Sequence, residues 1–378
     1  MFKVKLFIVV NVDWFFLSHR LPIALAAQSN GFDVTVVAQD TGYKDDIIDH
    51  GLRFIDLPFN RSKFSIFQDI RTILLLQKLY LKKQPDLVHH ITIKPVLYGS
   101  LAARLTKTRN VVNAISGLGH VFISNNISTI ILRKFVKTLY RFSFYNINQK
   151  VIFQNTYDKK IFLKSNIVNT NQTKLIRGSG VNISEFKYIP EPKDQMVILF
   201  AARLLKTKGI DVFIKAAKII KSEKTSTVFI IIGRFDHNNP ARVLEKEIIN
   251  LQNDGLIEYW GNVKNVADII AKSNIVCLPT YYGEGVPRIL IEAASCGRAI
   301  ITTDVPGCND IVQQNINGLL IPPHNVDALV DSIKLLINNN RLRRSMGRRG
   351  RTRVKNHFNI DLIVQQHKDV YNSFFNVE

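Results

Sequence analysis

The chain has 378 residues and a mass of 43.1 kDa, beyond the size at which one hydrophobic core usually stops growing, so two domains are expected. Hydrophobic residues at 46%, charged residues at 21% and 12 prolines exclude a disordered or collagen-like chain. A net charge of +21 calls for polyanionic partners, and it is lopsided: residues 1–189 carry 26 basic against 11 acidic side chains, residues 190–378 carry 25 against 19. Three cysteines (Cys277, Cys296, Cys308), odd in number and without C-x-x-C spacing, suggest neither a disulfide framework nor zinc, which fits a reducing cytoplasm. No apolar run reaches the roughly 18 residues needed to span a bilayer, and the N-terminus lacks a small-residue cleavage pattern.

Short Val- and Ile-rich runs then alternate with longer helical stretches, the signature of β-α units building parallel sheets covered on both faces. Strands are predicted at 5–10, 33–38, 86–91, 110–115 and 150–154, with helices over 20–30 and 66–83. A linker rich in Gly, Pro, Ser and Asn covers 178–194. The pattern restarts with strands at 196–201, 227–232, 257–261, 274–279, 298–303 and 319–322. The expectation is an α/β chain of two doubly wound, Rossmann-like domains facing a cleft: 1–185, 186–358, and a terminal helix in 359–378 packing across a domain surface.

The stretch 281–307, YYGEGVPRILIEAASCGRAIITTDVPG, carries the most chemistry. Glu284 lies in a glycine-flanked loop and Glu292 in the following helix, bracketing a helix N-terminus that favours anions. The loop Gly283-Glu284-Gly285-Val286-Pro287 can hold a diphosphate on backbone donors, with Pro287 suited to the first helical turn. The two carboxylates are left to grip hydroxyls, one of them a ribose diol, so the ligand implied is a nucleotide sugar. Arg203 and Lys208, in the loop after strand 196–201, can neutralise a leaving diphosphate without a metal. Gly233 and Gly261-Asn262-Val263 end further strands where a base or phosphate can approach the backbone.

In order, A-R-x-x-x-x-K-G, I-I-G, G-N-V, E-G-V-P-R-x-L-I-E-A-x-S-C-G and D-V-P-G resemble the retaining glycosyltransferases of family four, which have the GT-B fold. The segments FFLSHRLPIA (15–24), TIKPVLYGSLAAR (92–104), ISGLGHVF (115–122), VIFQN (151–155) and GSGV (178–181) resemble the branch that builds bacterial capsule, O-antigen and related lipid-linked glycans. The resemblance implies a hexose or N-acetylhexosamine moved from a nucleotide diphosphate donor, UDP by family habit, to a polyprenyl-diphosphate-linked saccharide. It places Arg203 and Lys208 on the donor diphosphate, Glu292 on the ribose hydroxyls, and Glu284, Gly285 and Val286 at the transferred sugar. Retention in the family is explained by a front-face displacement in which the leaving diphosphate helps deprotonate the acceptor, so no protein nucleophile is implied. Many members have a histidine after the strand matching 110–115 that contacts the donor sugar; here Ser116 and Gly117 stand there, so the resemblance places them on the donor, and the usual glycine pair of the first loop is replaced by Asn11-Val12-Asp13 and later Ser18-His19.

On the acceptor side, His19, His120 and Lys94 are candidates, whereas the adjacent His89 and His90 project in opposite directions and read as packing residues. No metal-ligand spacing occurs, so neither a metal nor a cofactor is expected. Residues 126–149 mix Ile130, Ile131, Leu132, Phe135, Phe142 and Tyr145 with Arg133, Lys134, Lys137 and Arg141, a composition suited to an anionic membrane interface. Arg61, Lys63, Phe64, Lys82 and Lys83 extend that surplus, and the expected location is the cytoplasmic face of the cell membrane. The run RLRRSMGRRGRTRVK (341–355) lacks the aromatic interleaving of nucleic-acid binders and reads as a solvated helix, so no nucleic acid is expected. A nucleotide-sugar epimerase of the same two-domain fold is the competing expectation.

Overall fold

The computed structural model describes residues 3–59, 65–118, 127–145, 148–237 and 239–375. The chain divides into two compact units, Met1–Ser179 with Asp361–Glu378, and Gly180–Ile360. The division falls upstream of residue 185 because the expected linker is part of the second unit. Val181 and Phe186 are buried in that unit's core, and Glu191 is held by Arg343 and Arg344 at 2.7 and 2.8 Å.

In the first unit, strands β1 (Lys5–Val12), β2 (Asp33–Gln39), β3 (Arg53–Asp56), β4 (Leu87–Ile91), β5 (Asn110–Ile115), β6 (Gln149–Phe153) and β7 (Thr173–Leu175) form one parallel sheet in the order β3-β2-β1-β4-β5-β6-β7. Helices α1 (Asp13–His19), α2 (Leu21–Ser29) and α3 (Lys44–Asp49) cover one face with Leu6, Ile8 and Val10 beneath them. Helices α4 (Ile66–Lys83), α5 (Ile93–Thr106), α6 (Ile127–Phe144) and α7 (Thr156–Lys164) cover the face carrying Phe7 and Val9. Burial on both faces is why these strands read as unbroken apolar runs. The edge strands RFID and TKL were not legible in the sequence, because a half-exposed edge needs few apolar residues.

The second unit repeats the plan with β8 (Val197–Ala201), β9 (Val228–Ile232), β10 (Glu258–Tyr259), β11 (Ile275–Leu278), β12 (Ala299–Thr303) and β13 (Gly318–Ile321), all parallel, in the order β10-β9-β8-β11-β12-β13. Helices α8 (Ile210–Ser222), α9 (Glu245–Asn253), α10 (Val266–Ala271), α11 (Arg288–Ser295), α12 (Cys308–Ile311), α13 (Val326–Asn338) and α14 (Asn340–His357) complete it. The basic run on α14 is not simply solvated. Arg343 is 3% exposed and forks onto Glu191, and Arg351 donates to the carbonyls of Ile183, Phe186 and Ser295. These arginines close the second unit by binding Glu191 and backbone oxygens, a packing role invisible in the charge count. The last helix, α15 (Ile360–Asn372), lays Ile363, Val370 and Tyr371 on the first unit's sheet. All three cysteines are buried free thiols.

Candidate functional site

A parallel sheet lines up all its strand carboxyl ends along one edge, and doubly wound sheets bind ligands there, beside the point where the winding reverses. In the second unit the chain runs outward from β8 to β9 and β10, then crosses to β11 on β8's other side. The reversal point is therefore flanked by the loops after β8 and β11. Those two loops carry Arg203, Lys208 and Glu284.

The loops are tied together by short-range contacts. After β8, a 3-10 turn Lys206–Lys208 ends at Gly209, whose φ of +77 starts α8. A Cβ on Gly209 would lie 2.0 Å from the Pro279 carbonyl oxygen, so only glycine lets the loops meet. Thr280 Oγ1 donates to the Thr207 carbonyl at 3.0 Å, and the Tyr281 amide donates to the same oxygen at 3.2 Å. The Lys208 ammonium then bonds the Glu284 carboxylate, each side chain 15% exposed, with Thr280 Oγ1 3.4 Å from the same Glu284 oxygen. From below, Gly307, with φ +87, lies so close that an added Cβ would meet the Gly285 carbonyl at 2.3 Å. The D-V-P-G turn is thus the floor of the Glu284 loop.

Around this pair, Arg203 binds Asp236 at 2.8 Å, and it keeps 37% of its side chain exposed. Glu292 lies on α11, 7% exposed, and accepts from Arg288 Nε at 2.6 Å. Burial raises the Glu292 pKa and Arg288 opposes that rise. Pro287 caps α11 rather than entering its first turn, with φ −62 and ψ 123. Val286 is buried in the core cluster, and Gly285 and Pro287 are buried beside it. Gly233 has its own steric reason: a Cβ there would stand 1.8 Å from the Ala202 carbonyl oxygen. Asn262 is exposed and Val263 half-buried after β10, two strands away from the reversal point. Thr280, Asp236 and Thr207 were missed from the sequence. The only signal for them was their place directly after strands or beside the basic loop residues.

In the first unit, Ser116 and Gly117 follow β5, half-buried, with Gly117 at φ +109. His19 stacks on Phe15 at 4.4 Å and its Nδ1 lies 2.6 Å from Ser18 Oγ. Lys94 is 7% exposed and paired with Asp69 at 3.0 Å, which ties α5 to α4. His120, with Arg61, Lys63 and Phe64, lies outside the described residues. His89 and His90 are core residues on opposite faces of β4: His89 bonds the Tyr371 hydroxyl at 2.7 Å, while His90 spans Tyr80 and Asn113 at 2.9 Å each. Gly99 is glycine for His90's sake, since a Cβ would stand 2.4 Å from the ring. Asp13 is buried and accepts from the amides of Trp14, Thr41 and Tyr43. Burial pushes its carboxyl up, but those bonds and the Thr41 hydroxyl outweigh it, so the pKa falls. It staples the loop after β1 to the loop after β2. Among the described residues no group of three His, Cys, Asp or Glu side chains is arranged to hold a metal ion.

The family model described as "Glycosyl transferases group 1" matches residues 182–353, and the one described as "Glycosyl transferase 4-like" matches residues 5–155. The chain is 26% identical over 354 residues to the N,N'-diacetylbacillosaminyl-diphospho-undecaprenol alpha-1,3-N-acetylgalactosaminyltransferase of Campylobacter jejuni, covering 88% of this chain and 91% of that one. It is 26% identical over 356 residues to the UDP-Gal:alpha-D-GlcNAc-diphosphoundecaprenol alpha-1,3-galactosyltransferase of Escherichia coli, covering 90% and 89%. A crystal structure of a glycosyltransferase from Rickettsia africae superposes with a TM-score of 0.77 at 18% identity over 100% of both chains. With two matched halves and two parallel α/β sheets, the chain belongs to the glycosyltransferases of family four with the GT-B fold.

Proposed function

We propose that the protein is a retaining, metal-independent glycosyltransferase. It moves a hexose or N-acetylhexosamine from a UDP-sugar to a polyprenyl-diphosphate-linked saccharide during bacterial surface polysaccharide synthesis. The observation that carries this is the Lys208–Glu284 pair beside Arg203 at the reversal point of the second sheet. Two cations stand where a diphosphate leaves, so its growing charge is offset by side chains. In the reaction the C1–O bond to diphosphate breaks, a C1–O bond to the acceptor forms, and the acceptor proton passes to the leaving diphosphate. Lys208 and Arg203 hold that diphosphate, Glu284 orients the transferred sugar, and Glu292 holds the ribose. The acceptor class follows the two relatives whose names specify diphospho-undecaprenol saccharides, and the donor follows the one named for UDP-Gal.

A thermal-shift panel of UDP, GDP, ADP and UDP-sugars, with and without EDTA, tests this, because a ligand held by the native state alone raises the transition. A UDP shift that survives EDTA is expected. A shift abolished by EDTA overturns metal independence, and a shift with GDP or ADP alone overturns the UDP assignment.

The same reading puts the protein peripherally on the inner face of the cell membrane. No helix among the described residues is long and apolar enough to cross one. Instead α6 exposes Ile131 at 65%, Phe135 at 60% and Phe142 at 55% beside Arg133, Lys134 and Lys137. Burial and the neighbouring Arg133 and Arg141 lower the Lys137 pKa, so this face gains from an anionic surface. Glutamate at 133, 134 and 137 is expected to release the protein from phosphatidylglycerol vesicles in co-sedimentation, each lost charge weakening binding by about 1 kcal/mol. Undiminished sedimentation would withdraw α6 as the contact.

A further inference from the structure

Eight arginines and lysines and no acidic residue occupy 341–355, and the fold uses only part of that charge. Arg343 and Arg344 hold Glu191, Arg351 holds three backbone carbonyls, and Arg353 donates to the Asp310 carbonyl at 2.6 Å. Among the described residues, the exposed side chains of Arg341, Arg348, Arg349 and Lys355 have neither an ion pair nor a hydrogen bond. Nothing in the packing of the second unit or in the donor loops accounts for these four cations.

Two of them share a cleft. Arg348, Arg351, Thr352 and Lys355 stand at i, i+3, i+4 and i+7 of α14, hence on one side of it, and with Tyr188 they line an open cleft of about 320 Å³. Close backbone approach builds its walls. A Cβ on Gly347 would stand 2.0 Å from the Gly297 carbonyl oxygen, so glycine lets α14 press onto the turn that follows α11. Gly297 itself, with φ +73, makes room for the Tyr188 ring, which would lie 2.4 Å from a Cβ there. Arg351 is tethered by the carbonyls of Ile183, Phe186 and Ser295 and is a fixed part of the lining, while Tyr188 stays 45% exposed. The cleft lies at the C-terminal end of α11, whereas Glu284 lies in the loop before its N-terminus. It is therefore separate from the donor loops.

We infer that this cleft binds a phosphate monoester, with the phosphoryl group held by Arg348 and Lys355 and the ester substituent against the Tyr188 ring. A monoester carries close to two negative charges at neutral pH, matching the two cations, and its oxygens accept from a guanidinium and an ammonium alike. A carboxylate or a phosphodiester brings one charge and leaves one cation unanswered. Arg348 and Lys355 are separated by about 10 Å along the helix axis, a span that two long flexible stems close over one phosphoryl group. The volume lies at the lower end of the range for small-molecule sites, which suits a small ester or a headgroup. The inference is independent of the proposed transferase reading.

The test uses two probes on the full chain: glycerol 3-phosphate in isothermal titration at low ionic strength, and phosphatidylcholine vesicles containing phosphatidic acid in co-sedimentation. The wild type is compared with the double variant Arg348→Ala/Lys355→Ala and with Arg341→Ala/Arg349→Ala, which removes the same charge from the same helix outside the cleft. All four positions are exposed, so melting temperatures should stay at the wild-type value. The cleft pair is expected to weaken binding by about tenfold or more, the loss of charge-assisted hydrogen bonds, while the charge-matched pair keeps the wild-type Kd. Selective loss on vesicles assigns a lipid headgroup, and selective loss confined to glycerol 3-phosphate assigns a soluble ester. If binding of neither probe depends on Arg348 and Lys355 more than on Arg341 and Arg349, the attraction is diffuse or absent and the inference is overturned. Lys208→Ala is expected to titrate with glycerol 3-phosphate as the wild type does; loss of that binding would move the ester to the donor loops and overturn the cleft as its site.

Discussion

Replacing Lys208 by alanine is expected to lower sugar transfer by about 10²–10³-fold, and replacing Glu284 by alanine to do the same, with the fold retained in both. The two side chains are joined in an ion pair at the reversal point of the second sheet, so each is positioned by the other. On the proposed reading, loss of Lys208 takes a point charge from the leaving diphosphate, about 3–4 kcal/mol of transition-state stabilisation. Loss of Glu284 removes the carboxylate proposed to orient the sugar and frees the Lys208 ammonium to move. The fold survives because the loop is held independently: Thr280 and Tyr281 remain bonded to the Thr207 carbonyl, and Gly209 and Gly307 still pack backbone on backbone. Initial rates on purified variants, alongside circular-dichroism melts, give the result. Full activity in either variant would remove the pair from the site.

Acid is expected to destabilise the first unit. His89, His90 and His367 are each buried, at 0%, 0% and 1% exposure. Burial lowers His90 to about 4 and His367 to about 3, and it drives His89 well below 6.5, with the His367 and Arg20 charges adding to that fall. The unfolded chain therefore takes up protons on these imidazoles from about pH 6.5 downward while the native one does not, and stability declines as pH falls. The contribution is complete above pH 6.5; by pH 5 the loss is about 2 kcal/mol for each of His90 and His367. Urea titrations from pH 7.5 to 5 should show the midpoint falling. His367→Leu should flatten the slope, since a leucine cannot take up the proton in the unfolded chain. A slope identical to wild type would show that His367 does not titrate between the two states.

The strand-helix alternation was readable because parallel strands buried on both faces must be apolar throughout, and β5 at Asn110–Ile115 and α4 at Ile66–Lys83 fall where the pattern put them. The same logic hid β3 and β7, whose edge positions relax that demand. The loop residues Arg203, Lys208 and Glu284 were legible from their spacing around glycines. Their partners were not. Asp236 lies 33 residues from Arg203, and Glu284 lies 76 from Lys208, separations over which spacing carries no information about contact.

By itself the sequence determined two doubly wound α/β domains, the family, and the loops that bear charge, because hydrophobic period and local turn chemistry are properties of neighbouring residues. Only the tertiary structure decided which charges are spent on the fold. Arg343 and Arg351 close the second unit, Lys94 answers Asp69, and Lys208 meets Glu284. It also decided that His89 on β4 meets the Tyr371 hydroxyl on α15, 282 residues away along the chain. The reason is physical: strand order and backbone twist bring distant residues to one sheet edge, and hydrogen-bond satisfaction is a property of that three-dimensional neighbourhood.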